Sequence, residues 1–389
     1  MLSLSLSNIS NSSRKKITQS NQAAASFDGT NDFIDASLLG PNIDKASGSI
    51  SHWVKITTSS NNEMMFTCSD GTSGNDKIQT VFMTSTSSGQ FQAVYKAGGV
   101  SNKAVYNYPA VDIVNAGWFH LAMTYVVTEE NALTIKLYFN GALQNTFTGT
   151  SEPIAGDVAF DRVILGKNSN ADNTYLTGLM DECMYFSGVL SDDQILGIYN
   201  SRGRANINRL IFLDPDIPTQ ATCKLWLRFG DGSIGQTKDQ TTGIIDMSNP
   251  DLGSELVTNG NFATNSNWTF NSSYWNISGG TANALGVANG SFTQTLAVQS
   301  GKIYKIEIAS TITSGNGIYA VKLGTTQQIF DNSTSNISLF LLASGNNVDV
   351  SIQPGNSAFS VSEVSVKEVQ GHPAFVSGAL INQDDNPTA

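Results

Sequence analysis

Leu133, Ile135, Leu137 and Phe139 alternate with Thr134, Lys136 and Tyr138, and Asn140-Gly141 follows at once. A period of two places alternate side chains on opposite faces of a strand. Asn-Gly accepts the positive φ values that a two-residue hairpin turn requires, so the chain is expected to return through Leu143 and Phe147. Residues 117–127 (GWFHLAMTYVV) are apolar on both faces and predict a central strand covered on both sides, as in a sandwich. Strand-like segments recur at 303–309, 318–323, 337–342, 348–352 and 359–369. The one helix expected runs over 191–200, where Ser191 and Gln194 form a capping box and Ile195, Ile198 and Tyr199 share a side. Long Leu/Ala/Glu/Lys blocks are missing. With 40% hydrophobic and 14% charged residues the chain can bury cores, and the reading is all-β.

The 389 residues divide by pattern. Residues 1–22 are Ser/Asn-rich and too poor in large apolar groups to fold alone, so they read as an N-terminal arm. Residues 23–202 form a first strand-rich module and 203–253 a connector with one strand at 223–229. Residues 254–369 form a second module, and 370–389, with Pro373 and Pro387, read as a C-terminal tail. The fold class expected is therefore two β-sandwich (jelly-roll) domains with an arm and a tail. The net charge of -11 argues against nucleic acid as the main partner, because phosphate binding needs concentrated cationic surface. No run approaches 18 apolar residues, so no membrane insertion is expected. Cys68, Cys183 and Cys223 lie far apart without metal-ligand spacing and read as buried thiols, with a single bridge as the alternative. Residues 1–7 (MLSLSLS) alternate with serine and precede the basic residues, unlike a secretory signal. The expectation is a protein made in, or released by lysis from, the cytoplasm.

Several segments of the first module resemble the laminin-G-like, concanavalin A-like family that includes pentraxin-type domains. They are Ser26-Phe27-Asp28-Gly29-Thr30-Asn31-Asp32, Gly48-Ser49-Ile50-Ser51-His52-Trp53-Val54, Trp118-Phe119-His120-Leu121, Leu137-Tyr138-Phe139-Asn140-Gly141, and the closing pair Ile164-Leu165-Gly166-Lys167 and Gly178-Leu179-Met180-Asp181-Glu182 before the capped helix. The second module resembles the jelly-roll carbohydrate-binding modules of xylanases. Glu255-Leu256-Val257-Thr258-Asn259-Gly260-Asn261-Phe262 with Trp268 corresponds to their opening strand and residues 359–369 to their closing one. Modules opening on Gly253-Ser254-Glu255-Leu256-Val257-Thr258-Asn259-Gly260 also occur in virion proteins of tailed phages.

Retaining glycosidases need two carboxylates about 5 Å apart, which on one strand means acids two positions apart. Asp181 and Glu182 are adjacent, Glu129 and Glu130 sit in a loop, and His52, His120 and His372 have no Ser or Cys motif beside them. A non-enzyme is expected. The first resemblance implies a structural Ca²⁺ near the first and last strands, where Asp28, Asp32 and Asp181 supply hard oxygen ligands. The alternative reading is that Asp28 and Asp32 shape the Gly29 turn. In the second module the alternation breaks across Glu363, which implies a bulge or an inward carboxylate at the place where related modules carry a metal ligand; Ala263 stands where they carry a Glu. Trp268, Tyr274 and Trp275 with Asn271 and Asn276 are the candidate sugar-binding patch, with core packing as the alternative. Arg14, Lys15 and Lys16 are candidate anchoring residues toward an acidic partner. Together these imply a bacteriophage virion display protein, a head decoration, head fibre or tail adhesin. Its partners would be capsid, portal or tail proteins, host-surface glycans and further copies of itself in a homo-oligomer; the alternative is a secreted or surface carbohydrate-binding adhesin.

Overall fold

The computed structural model describes residues 24–58, 62–71, 74–85, 88–169, 174–201, 222–229, 243–244, 246, 248, 252–286, 290–314, 318–329, 336–354, 358–372, 374–377 and 380–383. Among them lie two sandwiches of antiparallel sheets. Arg14, Lys15 and Lys16 fall outside the described residues.

The first sandwich pairs two sheets of eight strands each. One runs in the order Ala142–Thr150, Ala132–Phe139, Phe119–Val127, Ser47–Ile56, Thr177–Ser187, Ala24–Asp28 and Leu380–Gln383, with Cys223–Leu227 also alongside Thr177–Ser187. The other runs Gly243–Ile244, Ala374–Ser377, Phe33–Asp35, Arg162–Leu165, Glu63–Ser69, Lys77–Ser85, Ser88–Ala97 and Val100–Tyr108. The expected hairpin forms at Asn140-Gly141, both at positive φ (50° and 77°). The central strand Phe119–Val127 turns Phe119, Leu121, Met123 and Tyr125 into the core, while Ala122 joins an outer cluster with Leu190, Ile195 and Ile198. That outer cover comes from the helix Asp192–Ser201, capped reciprocally by the Ser191 and Gln194 side chains (2.9 and 3.1 Å). All three cysteines are buried and free.

The second sandwich, between residues 252 and 369, has a six-stranded sheet and a four-stranded one. The larger places Trp275–Ser278, Thr281–Leu285, Ala358–Val369, Ile303–Ser314 and Asn336–Leu342 in order, with Leu252–Glu255 also against Ala358–Val369. The smaller holds Phe292–Thr295, Asp349–Pro354, Ile318–Leu323 and Thr326–Ile329. Its opening segment is a strand only over Leu252–Glu255; beyond it the chain turns, with Asn259, Phe262 and Asn267 at positive φ.

The segment expected as a C-terminal tail carries two strands instead. Ala374–Ser377 pairs with Phe33–Asp35, and Leu380–Gln383 with Ala24–Asp28, both in the first sandwich. Each is four residues long, too short for a period of two to register, and prolines flank the pair. Cys223–Leu227 and Gly243–Ile244 belong to the first sandwich as well. The second sandwich is therefore an insertion, and its two ends meet: Leu252 pairs with Val369. Asp246 fastens the crossing point. Its Oδ1 accepts from the Trp226 and Ser248 amides, and its Oδ2 from the His372 amide. Ile303, Phe340 and Val369 of the insertion pack against the apolar cluster that contains Phe186 and Trp226.

Candidate functional site

In the six-stranded sheet Tyr304, Ile306, Ile308, Ile337, Leu339, Val364 and Val366 point into the core, so their neighbours point to solvent. Alternation is interrupted where Ala309 pairs with Glu363 but the next residue, Ser310, pairs with Val361. Ser362 is thus the extra residue of a bulge, and both it and Glu363 are exposed. The bulge resolves the broken alternation without an inward carboxylate. Around it lies a groove of about 410 Å³, lined chiefly by Glu307, Asn336, Ser338, Glu363, Ser365 and Lys367. Glu255 holds the rim: its Oε2 accepts from Ser365 Oγ (2.6 Å) and its Oε1 from the Val366 amide (2.9 Å). Lys305 pairs with Glu307 at 2.7 Å. Farther across the same face Asn283 donates to Asn276 (3.1 Å) and accepts from Ser360 (2.6 Å), forming a ladder of amides and hydroxyls. The groove offers carboxylate, ammonium, hydroxyl and amide groups to one ligand. The sequence signal for it was the polar half of each alternating strand, which periodicity marks as exposed without saying which strands are neighbours.

Of the three expected sugar-binding aromatics, Trp268 and Trp275 are core residues. Trp275 and Trp268 are 0% and 8% exposed, stack around Phe292, and satisfy their indole N–H groups on the Gly290 and Asn259 carbonyls. Tyr274 is half-buried at the edge of the same core. The two indoles, engaged on their faces, have none to offer a sugar.

The expected calcium ligands do not come together. Asp28 Oδ1 accepts from the Thr30 amide (2.7 Å) and Asp32 Oδ2 from the Asp28 amide (2.9 Å), so both shape the Gly29 turn. Asp28 pairs with Thr177, four residues before Asp181, which places Asp181 roughly 13 Å along the strand. Asp181 is buried and accepts from the Glu182 amide. Among the described residues no group of three or more His, Cys, Asp or Glu is placed to hold a metal. These residues do not fit a Ca²⁺ site.

Two polar constellations were not visible in the sequence. Glu182, held at φ 48° by a bulge in its strand, accepts from the Arg228 guanidinium (2.9 Å) and the Trp226 indole, all three essentially buried. His120 Nε2 lies 2.8 Å from Ser51 Oγ, and His52 Nε2 lies 2.8 Å from Thr80 Oγ1. Burial drives both imidazoles down to about 3, so they stay neutral. The Ser51–His120 pair is no nucleophile and base: both residues are 0% exposed, and His120 Nδ1 has no hydrogen-bond partner to orient it.

Residues 28–196 match the Laminin_G_3 family model, described as the concanavalin A-like lectin/glucanases superfamily. The first sandwich is a concanavalin A-like domain. This covers four of the five segments on which the sequence resemblance rests and most of the fifth. No curated protein matches the chain. Similar solved structures include the CBM40 of the Ruminococcus gnavus IT-sialidase bound to alpha2,3 sialyllactose, at 18% identity over 46% of this chain and 99% of that one (TM-score 0.35). Mouse laminin alpha1 domains LG4-5 show 11% identity over 93% of this chain and 90% of theirs (TM-score 0.31). Tailspike protein 2 of bacteriophage CBA120 shows 10% identity over 45% of this chain and 31% of its own (TM-score 0.32).

Proposed function

We propose that this chain is a carbohydrate-binding display protein and not an enzyme, with the groove on the inserted sandwich as its glycan site. The observation that carries the reading is the convergence of Glu307, Asn336, Ser338, Glu363, Ser365 and Lys367 on one concave, solvent-facing surface. Polyhydroxylated ligands are recognised by such sets of side-chain donors and acceptors held on a rigid sheet. The concanavalin A-like domain supports the carbohydrate part of this reading, because its superfamily is one of lectins and glucanases. A glycan array probed with the full chain and with Glu363→Gln and Asn336→Ala is the test. Retention of a defined glycan set, weakened about tenfold by either substitution, is the expected result. A chain that retains no glycan, or variants that bind unchanged, would overturn it.

The finer reading is service on a bacteriophage particle, as a head decoration, head fibre or tail adhesin contacting host-surface glycans. It draws on the likeness of the 253–260 opening to modules of phage virion proteins. Mass spectrometry of purified particles decides between this and a secreted or surface adhesin. Presence at defined stoichiometry supports the virion; recovery only from cell envelopes or medium supports the adhesin.

A further inference from the structure

The edge of a sheet is a row of unpaired amides and carbonyls, and folded chains blunt it with short strands, charges, proline or a cover. Among the described residues the other terminal strands of the four sheets are two to seven residues long, the shortest Gly243–Ile244 and the longest Asn336–Leu342, apart from Val100–Tyr108. Val100–Tyr108 has nine residues but carries the exposed Lys103, and its Val105 carbonyl accepts from Asn145 Nδ2 (2.6 Å). Ala142–Thr150 is different. It ends its sheet with nine residues, ALQNTFTGT, that include neither charge nor proline, and all but the half-buried Phe147 are exposed.

Register decides which backbone groups of this strand are free. A bulge lies between Leu143 and Asn145, so the regular part is Asn145–Thr150. Just beyond it the Ser151 amide donates to the Asn131 carbonyl (2.9 Å), on the side of Ala132–Phe139. Peptide groups alternate in direction along an antiparallel strand. Those of Gly149, Phe147 and Asn145 therefore face Ala132–Phe139, and those of Thr146, Thr148 and Thr150 face away from it. Three β-branched residues thus hold donors and acceptors outward in extended geometry. The Phe147 ring reaches along the strand over Gly149, where an added Cβ would stand 2.7 Å from it.

We infer that Ala142–Thr150 is the contact surface of a homodimer, in which two copies pair this edge antiparallel about a two-fold axis and join their sheets into one. Directly opposed residues share a face. With Phe147 on the axis its ring meets the partner's Phe147, Thr146 opposes the partner's Thr148, and Asn145 opposes the partner's Gly149. A two-fold contact sets a surface against itself, so a charge placed there would face its like. A strand without charge suits that contact, whereas an edge adapted to a charged partner would carry the complementary charge. Each copy has a net charge of -11, so copies approach closely where acids are absent. The flanking charges are engaged elsewhere: Lys136 pairs with Asp192 (2.8 Å), and Glu152 accepts from Asn131 (2.9 Å). The contact lies on the concanavalin A-like sandwich and does not depend on the proposed glycan groove.

Sedimentation velocity of the full chain over a dilution series tests it, with circular dichroism and thermal melting to show that each variant is folded. The wild-type chain should sediment as a dimer that dissociates on dilution. Thr146→Lys/Thr148→Lys puts two like-charged pairs across the axis and should weaken association at least about tenfold. Thr146→Glu/Thr148→Lys puts each Glu against a Lys and should restore it. Hydrogen exchange on the wild-type chain gives a readout free of variants: the Thr146 and Thr148 amides should exchange more slowly as concentration rises. A monomer at every concentration would leave this edge to a different protein and overturn the inference. So would association indifferent to the double lysine variant, or a Glu/Lys variant as weak as the Lys/Lys one.

Discussion

Between its sheets the concanavalin A-like sandwich buries His52 against Thr80, and Glu63 with one oxygen on the Thr177 amide (2.6 Å) and the other without a partner. It also buries the Glu182–Arg228 pair. The inserted sandwich does the opposite: its core is Trp268, Trp275, Phe292, Phe359 and aliphatic side chains, and its amides, hydroxyls and carboxylates line an outer face. A core that holds ionisable groups ties stability to pH and to the integrity of each pair. A core of packed rings leaves the polar surface free to vary with ligand. The difference teaches where each sandwich tolerates change.

The comparison breaks most sharply at Glu182. Replacing it with Ala leaves the Arg228 charge buried without its carboxylate, at a cost of about 3–5 kcal/mol. Chemical denaturation should show that loss, and hydrogen exchange should place it in the first sandwich. An equal rise in exchange across the inserted sandwich would mean that the two unfold as one unit. The contrasting pair on the insertion, Lys302 with Glu368, is more than a quarter exposed on both sides. Lys302→Ala there should cost under about 1 kcal/mol.

The next effect is pH dependence. Burial raises Glu63 from 4.5 to about 8, against the lowering influence of the Thr177 amide. The folded state thus binds a proton that the unfolded state has released between these values, so this contribution is present below pH 4.5 and is lost as pH rises through about 8. The loss is on the order of a few kcal/mol. Glu63→Gln should flatten the melting temperature between pH 6 and 9. Persistence of the wild-type slope would acquit Glu63. On the acid side the signs reverse. His52 and His120 are held down to about 3, so stability present above their ordinary 6.5 is lost as the unfolded chain takes up protons on acidification toward 3. Hydrogen exchange followed across both limbs should move in the first sandwich and stay nearly flat in the second.

The smallest effect sharpens the other half of the comparison. Ser360→Ala removes one rung of the Asn276–Asn283 ladder on the insertion's outer face. It should cost about 1 kcal/mol or less, and a Tm shift larger than a few degrees would show that the ladder is structural. Replacing residues 253–368 by a short Gly/Ser link should leave the first sandwich folded, because the ends of the insertion already lie paired at Leu252 and Val369. Collapse of that shortened chain would show that Ile303 and Phe340 are needed to cover Trp226.

Much of the fold was legible. The Leu133 to Phe139 alternation, the Asn140-Gly141 turn and the Ser191–Gln194 cap are local devices, and each appears where its residues require it. The strand Ile318–Leu323 starts and stops where its pattern does. The sites were less legible. Trp268 and Trp275 carry the same residue type whether they stack on a sugar or on Phe292, and only the packing distinguishes the two. Asp28 and Asp32 were expected either as metal ligands or as turn formers, and their short-range bonds make them the latter.

By itself the sequence determined the longer alternating strands, the Asn140-Gly141 hairpin, the capped helix and the two-sandwich class, because period and turn chemistry act over neighbouring residues. Tertiary structure alone decided that Ala374–Ser377 and Leu380–Gln383 close the first sandwich around an inserted second one. It also decided that Glu182 meets Arg228. Those meetings depend on which strands are neighbours and in what register. Such pairing is set by the burial of both cores together, and no local pattern records it.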